Sequence, residues 1–315
     1  VRETLHFYVR RDIAAQVWPY GIGGAEVINP FIEVDENLCT VNWQPVQANL
    51  VIDGGMQPFL RPLGLSVSPD GELFVADEGA HRISIFDAET GAFVNSFGQQ
   101  GGRDAEGAFF ERPHSVVVDD DGDIYVVDTW NYRVRTFSPN FSPIASWGQP
   151  LTRGFEAPQV PVDGFWGPRD IAVDPLGRVY VADTGNKRVR VYDSEGNYLR
   201  DIGSGGSGDG QLNEPAGLAL DPTGTLFVAD TWNRRVAAFG LDGSFLFNFN
   251  VRAWYEELGN RPYLAVDAER NLLYVTDPDA GRVLVYDTFG NCVGSFGQFN
   301  DSNPGPGQFT LVGGI

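Results

Sequence analysis

Residues 168–203 read PRDIAVDPLGRVYVADTGNKRVRVYDSEGNYLRDIG, and this stretch decides the fold. It contains four short runs rich in Val, Ile and Tyr, separated by turns of Pro, Gly, Asp and Asn. The four runs are residues 170–173, 178–182, 188–192 and 198–202. Short β-branched and aromatic runs bounded by turn residues predict strands joined by tight hairpins. The stretch therefore predicts one four-stranded antiparallel sheet.

The same pattern occurs four more times in the chain. The five repeats are residues 62–98, 113–148, 168–203, 215–250 and 262–297. In each repeat the second strand ends in Asp: Asp77, Asp128, Asp183, Asp230 and Asp277. Five residues later the third strand opens with Arg: Arg82, Arg133, Arg188, Arg235 and Arg282. Four-stranded repeats of this length predict the blades of a β-propeller.

The wording of these repeats resembles a known family. The motifs are PAGLAL at 215–220, LFVADTWNRRV at 226–236 and GQLNEP at 210–215. They resemble NHL repeats, and the resemblance covers about residues 60–315. It implies an all-β protein, a β-propeller of six four-stranded antiparallel blades. It implies little about activity, because the family includes sensor domains, scaffolds and a lyase.

The first residues differ from the repeats. Leu5, Val9, Ile13 and Val17 recur at every fourth position, which predicts an amphipathic helix over residues 1–18. Residues 1–25 are then a helical segment or connector, and residues 26–315 form the propeller. We expect the helix to pack on the surface of the domain, and the alternative is a juxtamembrane connector.

A partial sixth repeat begins at residue 305. An unpaired inner strand would leave an open sheet edge, which proteins avoid. Either the polypeptide continues beyond residue 315, or strand patterns at 27–34, 39–43 and 48–53 complete the sixth blade. The second arrangement is favoured because it joins the two ends of the propeller.

The two cysteines, Cys39 and Cys292, lie far apart in the sequence and resemble neither a metal knuckle nor a redox pair. Closure of the sixth blade by N-terminal strands would bring Cys39 next to the outer strand of the fifth blade. A disulfide between the two cysteines would then indicate an oxidising compartment. The alternative is a pair of buried thiols that act as small apolar side chains.

The formal net charge of −20 restricts the partners of this protein. Nucleic acids and anionic lipid surfaces select clustered Lys and Arg, so the charge argues against both. No apolar run is long enough to cross a membrane, and no secretory signal is present. Membrane association would have to come from a part of the protein that is missing from this chain.

Comparison of the repeats separates structural from functional residues. The repeated Asp and Arg are expected to pair with each other and to bind the backbone of their turn. Positions that differ between blades are the better site candidates. The residues that open the innermost strands are predicted to line the channel mouth with the polar set His114, Arg169, Asp170 and Tyr263. The loops on the same face are predicted to bind a partner through Trp130, Trp166, Trp232 and Trp254.

These residues predict a non-enzymatic, extracytoplasmic interaction or scaffold module that binds a protein or a glycan through its aromatic loop face. No catalytic residue, metal or cofactor is assigned. The resemblance implies a comparison with the lyases of this family, which use histidine-ligated zinc, and His114 resembles one such ligand. The equivalent positions hold Leu63, Arg169, Ala216 and Tyr263, which excludes a three-histidine site. Two alternatives stay open: a metal-dependent hydrolase or lyase at the channel mouth, and an accessory domain of a larger membrane-anchored enzyme.

Overall fold

The computed structural model describes residues 5–7, 50–52, 54, 57–150, 164–251, 253–254, 261–299, 308–309 and 313–315. Its main feature is a series of five four-stranded antiparallel sheets, which we call blades 1 to 5. The first strands of successive blades contact one another, so they lie nearest the axis, and the fourth strands form the outer edge. The predicted all-β propeller class is confirmed.

Each blade takes its four strands from one repeat, in chain order from the axis outward. The strands are Pro62–Val67, Glu72–Asp77, Arg82–Asp87 and Phe93–Phe97 in blade 1; Pro113–Val118, Ile124–Asp128, Arg133–Phe137 and Pro143–Trp147 in blade 2; Ile171–Val173, Val179–Asp183, Arg188–Tyr192 and Tyr198–Ile202 in blade 3; Pro215–Asp221, Thr225–Asp230, Arg235–Gly240 and Phe245–Asn250 in blade 4; and Leu264–Asp267, Leu272–Asp277, Arg282–Asp287 and Cys292–Phe296 in blade 5.

Short elements complete the repeats. In blades 1 to 4 the turn between the second and third strands is a single 3-10 turn: Glu78–Ala80, Thr129–Asn131, Thr184–Asn186 and Thr231–Asn233. The connections after blades 1, 2, 3 and 5 each form a two-stranded parallel pair. The pairs are Gln99–Gln100 with Phe109–Phe110, Gln149–Pro150 with Gly164–Phe165, Ser204–Gly205 with Gln211–Leu212, and Gln298–Phe299 with Gln308–Phe309.

The core lies between the blades, so both faces of a central strand are buried. In blade 3, Tyr180 and Ala182 pack towards blade 4, whereas Val179 and Val181 pack towards blade 2. A strand that is covered on both faces has no polar side to present, which explains the continuous apolar run before Asp183. Each fully buried large side chain contributes about 1.5–3 kcal/mol of transfer free energy.

The predicted pairing of the repeated Asp and Arg is present in all five blades, but in blades 1 to 4 the backbone that they bind belongs to the segment before the blade and not to the turn. A carboxylate oxygen of the Asp accepts a hydrogen bond from the Arg at 2.7 to 3.1 Å. The other carboxylate oxygen accepts from a backbone N–H of the segment that leads into the blade. These donors are Arg61 at 2.8 Å, Glu111 at 2.7 Å, Trp166 at 2.8 Å and Asn213 at 2.6 Å, in blades 1 to 4. We call this unit the Asp–Arg bracket.

The arginine of the bracket also binds the lead-in segment. Arg133 donates to the backbone carbonyls of Arg103 and Phe109, and Arg235 donates to those of Gly208 and Gln211. The guanidinium groups therefore point to their own lead-in segments and not into the channel.

The expectation of six blades is wrong for the described residues, which form five. The sixth position, between blades 5 and 1, holds residues 313–315: the backbone N–H of Gly314 donates to the carbonyl of Leu63 at 2.7 Å, and Ile315 packs on the apolar face of blade 5. The strand Leu50–Ile52 lies within the predicted pattern at 48–53, but it pairs with Leu5–Phe7. The other two predicted strands, 27–34 and 39–43, lie outside the described residues.

The predicted N-terminal helix is also wrong where the chain can be compared. Leu5–Phe7 is a β-strand, antiparallel to Leu50–Ile52. The fourfold apolar spacing suits a helix, but the three residues Leu5, His6 and Phe7 alternate apolar and polar as a strand does. Long-range pairing with a second strand decides between these two patterns.

Cys292 lies in the outer strand of blade 5 and takes part in a disulfide bond. Its predicted partner, Cys39, lies outside the described residues, and the pairing stays a prediction.

The bracket makes a first prediction. Asp183→Asn should lower the free energy of unfolding by about 3 kcal/mol, because it removes the fully buried charge that binds both Arg188 and the backbone N–H of Trp166 and leaves Arg188 with Asp201 alone. Urea unfolding followed by tryptophan fluorescence measures the change. Glu195→Gln, an exposed carboxylate in the same blade, is the matched control and should change stability little. Equal stabilities of the two variants would contradict the bracket's role.

Candidate functional site

One side of the propeller carries both the 3-10 turns and the lead-in segments. The backbone N–H of Glu78 donates to the carbonyl of Arg61, and that of Trp130 donates to the carbonyl of Glu111. The equivalent bonds join Gly185 to Trp166 in blade 3 and Trp232 to Asn213 in blade 4. We call this side the upper face, and the side with the hairpins between first and second strands and between third and fourth strands the lower face.

The centre of the upper face is closed by a contact between blades 2 and 5. The phenolic O–H of Tyr263 donates to the backbone carbonyl of His114 at 3.0 Å, and Nη1 of Arg261 lies 3.5 Å from Nε2 of the same histidine. The backbones of blades 1 and 2 are also close here, since a Cβ atom at Gly64 of blade 1 would lie 2.7 Å from the carbonyl oxygen of His114. We call the group His114, Arg169, Arg261 and Tyr263 the mouth.

His114 is almost completely buried, at 1% exposure. Its Nε2 lies 3.5 Å from Oε1 of Glu78, and its Nδ1 has no hydrogen-bond partner among the described residues. Burial lowers the pKa of His114 to about 4, against the opposing effect of the Glu78 carboxylate, and the nearby charges of Arg261 and Arg169 lower it further. The imidazole is therefore neutral at pH 7, and its contact with Glu78 is a hydrogen bond and not an ion pair.

Asp170, predicted to line the mouth, has a structural contact set instead. It is 5% exposed and accepts hydrogen bonds from Oγ of Ser115 at 2.6 Å, the backbone N–H of Leu218 at 2.7 Å and that of Ile171 at 2.9 Å. Burial raises the pKa of Asp170 to about 6, although these hydrogen bonds favour the charged form. Its carboxylate joins blades 2, 3 and 4, and both of its oxygens accept hydrogen bonds from protein groups.

The mouth contains two arginines, Arg169 and Arg261, and two more lie beside it. Comparison of the repeats at the positions after the opening proline identified only Arg169. Arg61, Arg112 and Arg261 stand immediately before the opening prolines of blades 1, 2 and 5, where blades 3 and 4 have Gly167 and Glu214. Comparison of that preceding position would have identified them. Glu78 lies 3.1 Å from Arg61 and 3.9 Å from Arg112.

Three of the predicted tryptophans lie on the upper face. Trp130 is the most exposed, at 47%, and Trp232 is half-buried in the equivalent turn of blade 4. Trp166 stacks on Tyr132 of blade 2 with ring centroids 5.9 Å apart. Its indole also occupies the space over Gly185, where a Cβ atom would lie 1.7 Å from Cδ1 of the ring.

The fourth predicted tryptophan, Trp254, is not on the surface. Its side chain is fully buried in the core between blades 4 and 5, and its Nε1–H donates to the carbonyl of Thr276 at 3.0 Å. An indole N–H that finds a backbone acceptor can be buried at low cost, and this contact corrects the prediction that Trp254 binds a partner.

The described residues contain no group of three or more His, Cys, Asp and Glu side chains that could hold a metal ion. Within the same residues, no helix has the length and hydropathy needed to span a bilayer.

The fold and the repeated bracket define a β-propeller with one variable, aromatic and arginine-bearing face. Four segments match the NHL repeat: residues 59–86, 110–137, 165–192 and 212–239. The chain therefore belongs to the NHL-repeat β-propeller family.

Known proteins and structures are similar over parts of this chain. The Arabidopsis thaliana protein SUPPRESSOR OF QUENCHING 1, chloroplastic, is 28% identical over 148 residues, which are 43% of this chain and 14% of that protein. Peptidyl-alpha-hydroxyglycine alpha-amidating lyase 1 of Drosophila melanogaster is 28% identical over 156 residues, 47% of this chain and 28% of the lyase. The chain thus spans less than a third of either relative.

Among solved structures, a chain of a nidogen/laminin complex has a TM-score of 0.55 and 17% identity. The match covers 80% of this chain and 87% of that chain. At this identity the likeness shows the propeller fold alone.

The neutral His114 makes a second prediction. Its pKa is about 4 in the folded state and about 6.5 when unfolded, so the unfolded chain binds more protons in this window and stability falls as the pH falls. Between pH 7 and pH 4 the wild type should lose about 3 kcal/mol of unfolding free energy relative to His114→Gln.

Urea unfolding at a series of pH values measures this difference. Tyr263→Phe, which removes only the hydrogen bond to the backbone carbonyl of His114, is the control and should keep the wild-type pH slope. A His114→Gln variant with the same slope as the wild type would show that the imidazole is not held neutral.

Proposed function

We propose that this protein is a non-enzymatic interaction module that binds a protein or a glycan through the aromatic side chains of its upper face. The observation that carries the proposal is Trp130, whose indole is 47% exposed on an ordered 3-10 turn. A large aromatic ring held in water by a rigid turn gains transfer free energy when a partner covers it.

The neighbouring blades extend the aromatic surface. Trp166 follows in blade 3 and Trp232 in blade 4, both half-buried and both on the upper face. Their positions differ from blade to blade, whereas the brackets beneath them repeat. The side chains of Trp130 and Trp232 take no part in the brackets, so a partner that covered them would leave the bracket contacts in place.

An extracytoplasmic location is part of the proposal. The disulfide bond of Cys292 supports it, because disulfides persist mainly in oxidising compartments. The acidic net charge of −20 favours solubility and disfavours anionic partners over most of the surface.

An enzymatic propeller is the second candidate, and the similarity to the amidating lyase of Drosophila favours it. The neutral imidazole of His114, with Glu78 at 3.5 Å, is the group in the mouth that a metal-dependent hydrolase or lyase would use. Metal analysis of the purified protein separates the two candidates. A stoichiometric divalent cation, lost together with a lyase or hydrolase activity in His114→Ala, would replace the binding module with the enzyme.

Substitution of the two turn tryptophans tests the binding module. Immobilised wild type and the double variant Trp130→Ala/Trp232→Ala are exposed to the extracellular fraction of the native host, with quantitative mass spectrometry, and to a glycan array. The amount of specific ligand retained by the double variant should be lower than that of the wild type by a factor of about ten or more. Tryptophans buried at an interface commonly contribute about 2 kcal/mol each.

Phe289→Ala is the matched control, since Phe289 is 77% exposed in a hairpin of the lower face. It should bind as the wild type does. Equal retention by the double variant, or loss by the Phe289 variant alone, would contradict the assignment of the upper face.

A further inference from the structure

Four arginines lie in the mouth or beside it, in a protein that has 42 acidic residues and 22 lysines and arginines. The charges of Arg61 and Arg112 act on Arg261, and those of Arg261 and Arg169 act on His114. The group therefore spans blades 1, 2, 3 and 5. Arg61 and Arg112 form its outer rim, with side chains 42% and 52% exposed, and Arg169 and Arg261 lie deeper.

Among the described residues, few carboxylates are available to this cluster. Glu78 is nearly buried and pairs with the rim arginines, at 3.1 Å from Arg61 and 3.9 Å from Arg112. Asp170 is committed to its three hydrogen bonds between blades, and Glu214 acts on Arg169 by charge alone. Within the described part of the chain, the mouth thus carries excess positive charge.

Arg169 and Arg261 have N–H groups that make no hydrogen bond to the described residues. No hydrogen bond or ion pair engages the guanidinium of Arg169 within the part of the chain that the structure describes. Nε of Arg261 is a buried donor that has no partner among those residues. Burial, and then the charge of Arg261, lowers the pKa of Arg169 to about 10. Buried donors without acceptors destabilise a protein unless something binds them.

We propose that the mouth is a binding site for a small carboxylate ligand, held by Arg169 and Arg261 and reached past Arg61 and Arg112. Glu78 supports a carboxylate, because it already places one against this arginine cluster and His114. Guanidinium groups match the two oxygens of a carboxylate and bind them more strongly than neutral donors do. The site does not depend on the aromatic surface, so it goes beyond the proposed function.

Isothermal titration calorimetry with malonate, at constant ionic strength in chloride buffer, tests the site. The wild type should bind malonate saturably, with a Kd on the order of 1 mM or below. Arg169→Gln should weaken binding by at least about tenfold, as expected for loss of a charge-assisted contact. The control is Arg234→Gln, because Arg234 is an exposed arginine of the upper face outside the mouth, and it should bind as the wild type does.

A stability measurement distinguishes ligand binding from a structural role. Without malonate, Arg169→Gln should melt at the same temperature as the wild type or higher, because it removes a partly buried charge that has no counterion in contact. A clearly lower Tm would show that Arg169 supports the fold and would overturn the proposal. So would absence of malonate binding to the wild type, or unchanged binding in Arg169→Gln. Saturable binding of phosphate or sulfate but not malonate would overturn the carboxylate assignment.

Discussion

The pairing of a buried aspartate with an arginine five residues later is the contact on which the rest of the propeller depends. In blade 3, Asp183 accepts from Arg188 and also from the backbone N–H of Trp166, which belongs to the segment before the blade. One carboxylate therefore fixes the turn between two strands and the path by which the chain enters the blade. Because each blade repeats this unit, the blades are oriented alike around the axis.

The brackets also explain why the upper face can vary. Each bracket joins its Asp, its Arg and the backbone of the lead-in segment, and the side chains of Trp130 and Trp232 take no part in these contacts. Trp130 can therefore stand exposed on one turn while Gly185 occupies the same position on another. The position before the opening proline also varies: it holds Arg61, Arg112 and Arg261 in blades 1, 2 and 5, and Gly167 and Glu214 in blades 3 and 4.

The blades and brackets could be predicted from the sequence because they are local and repeated. Strand period, turn residues and the Asp to Arg spacing all lie within one repeat. The failures concern distant contacts: Leu5–Phe7 pairs with a strand more than forty residues away, and Trp254 is buried by residues of two blades. The structural role of Asp170 is not visible in its own repeat, because groups that donate hydrogen bonds to its carboxylate, such as the backbone N–H of Leu218, belong to other blades. The arginines before the prolines were missed because only the positions after them were compared.

Hydrogen exchange of the lead-in amides tests the account most directly. The backbone N–H groups of Glu111, Trp166 and Asn213 lie in connecting segments, yet each donates to a fully buried aspartate. If the brackets hold the blades, these three amides should exchange as slowly as those of the central strands, such as Val181. Exchange at the rate of the exposed lower-face hairpins would contradict the account.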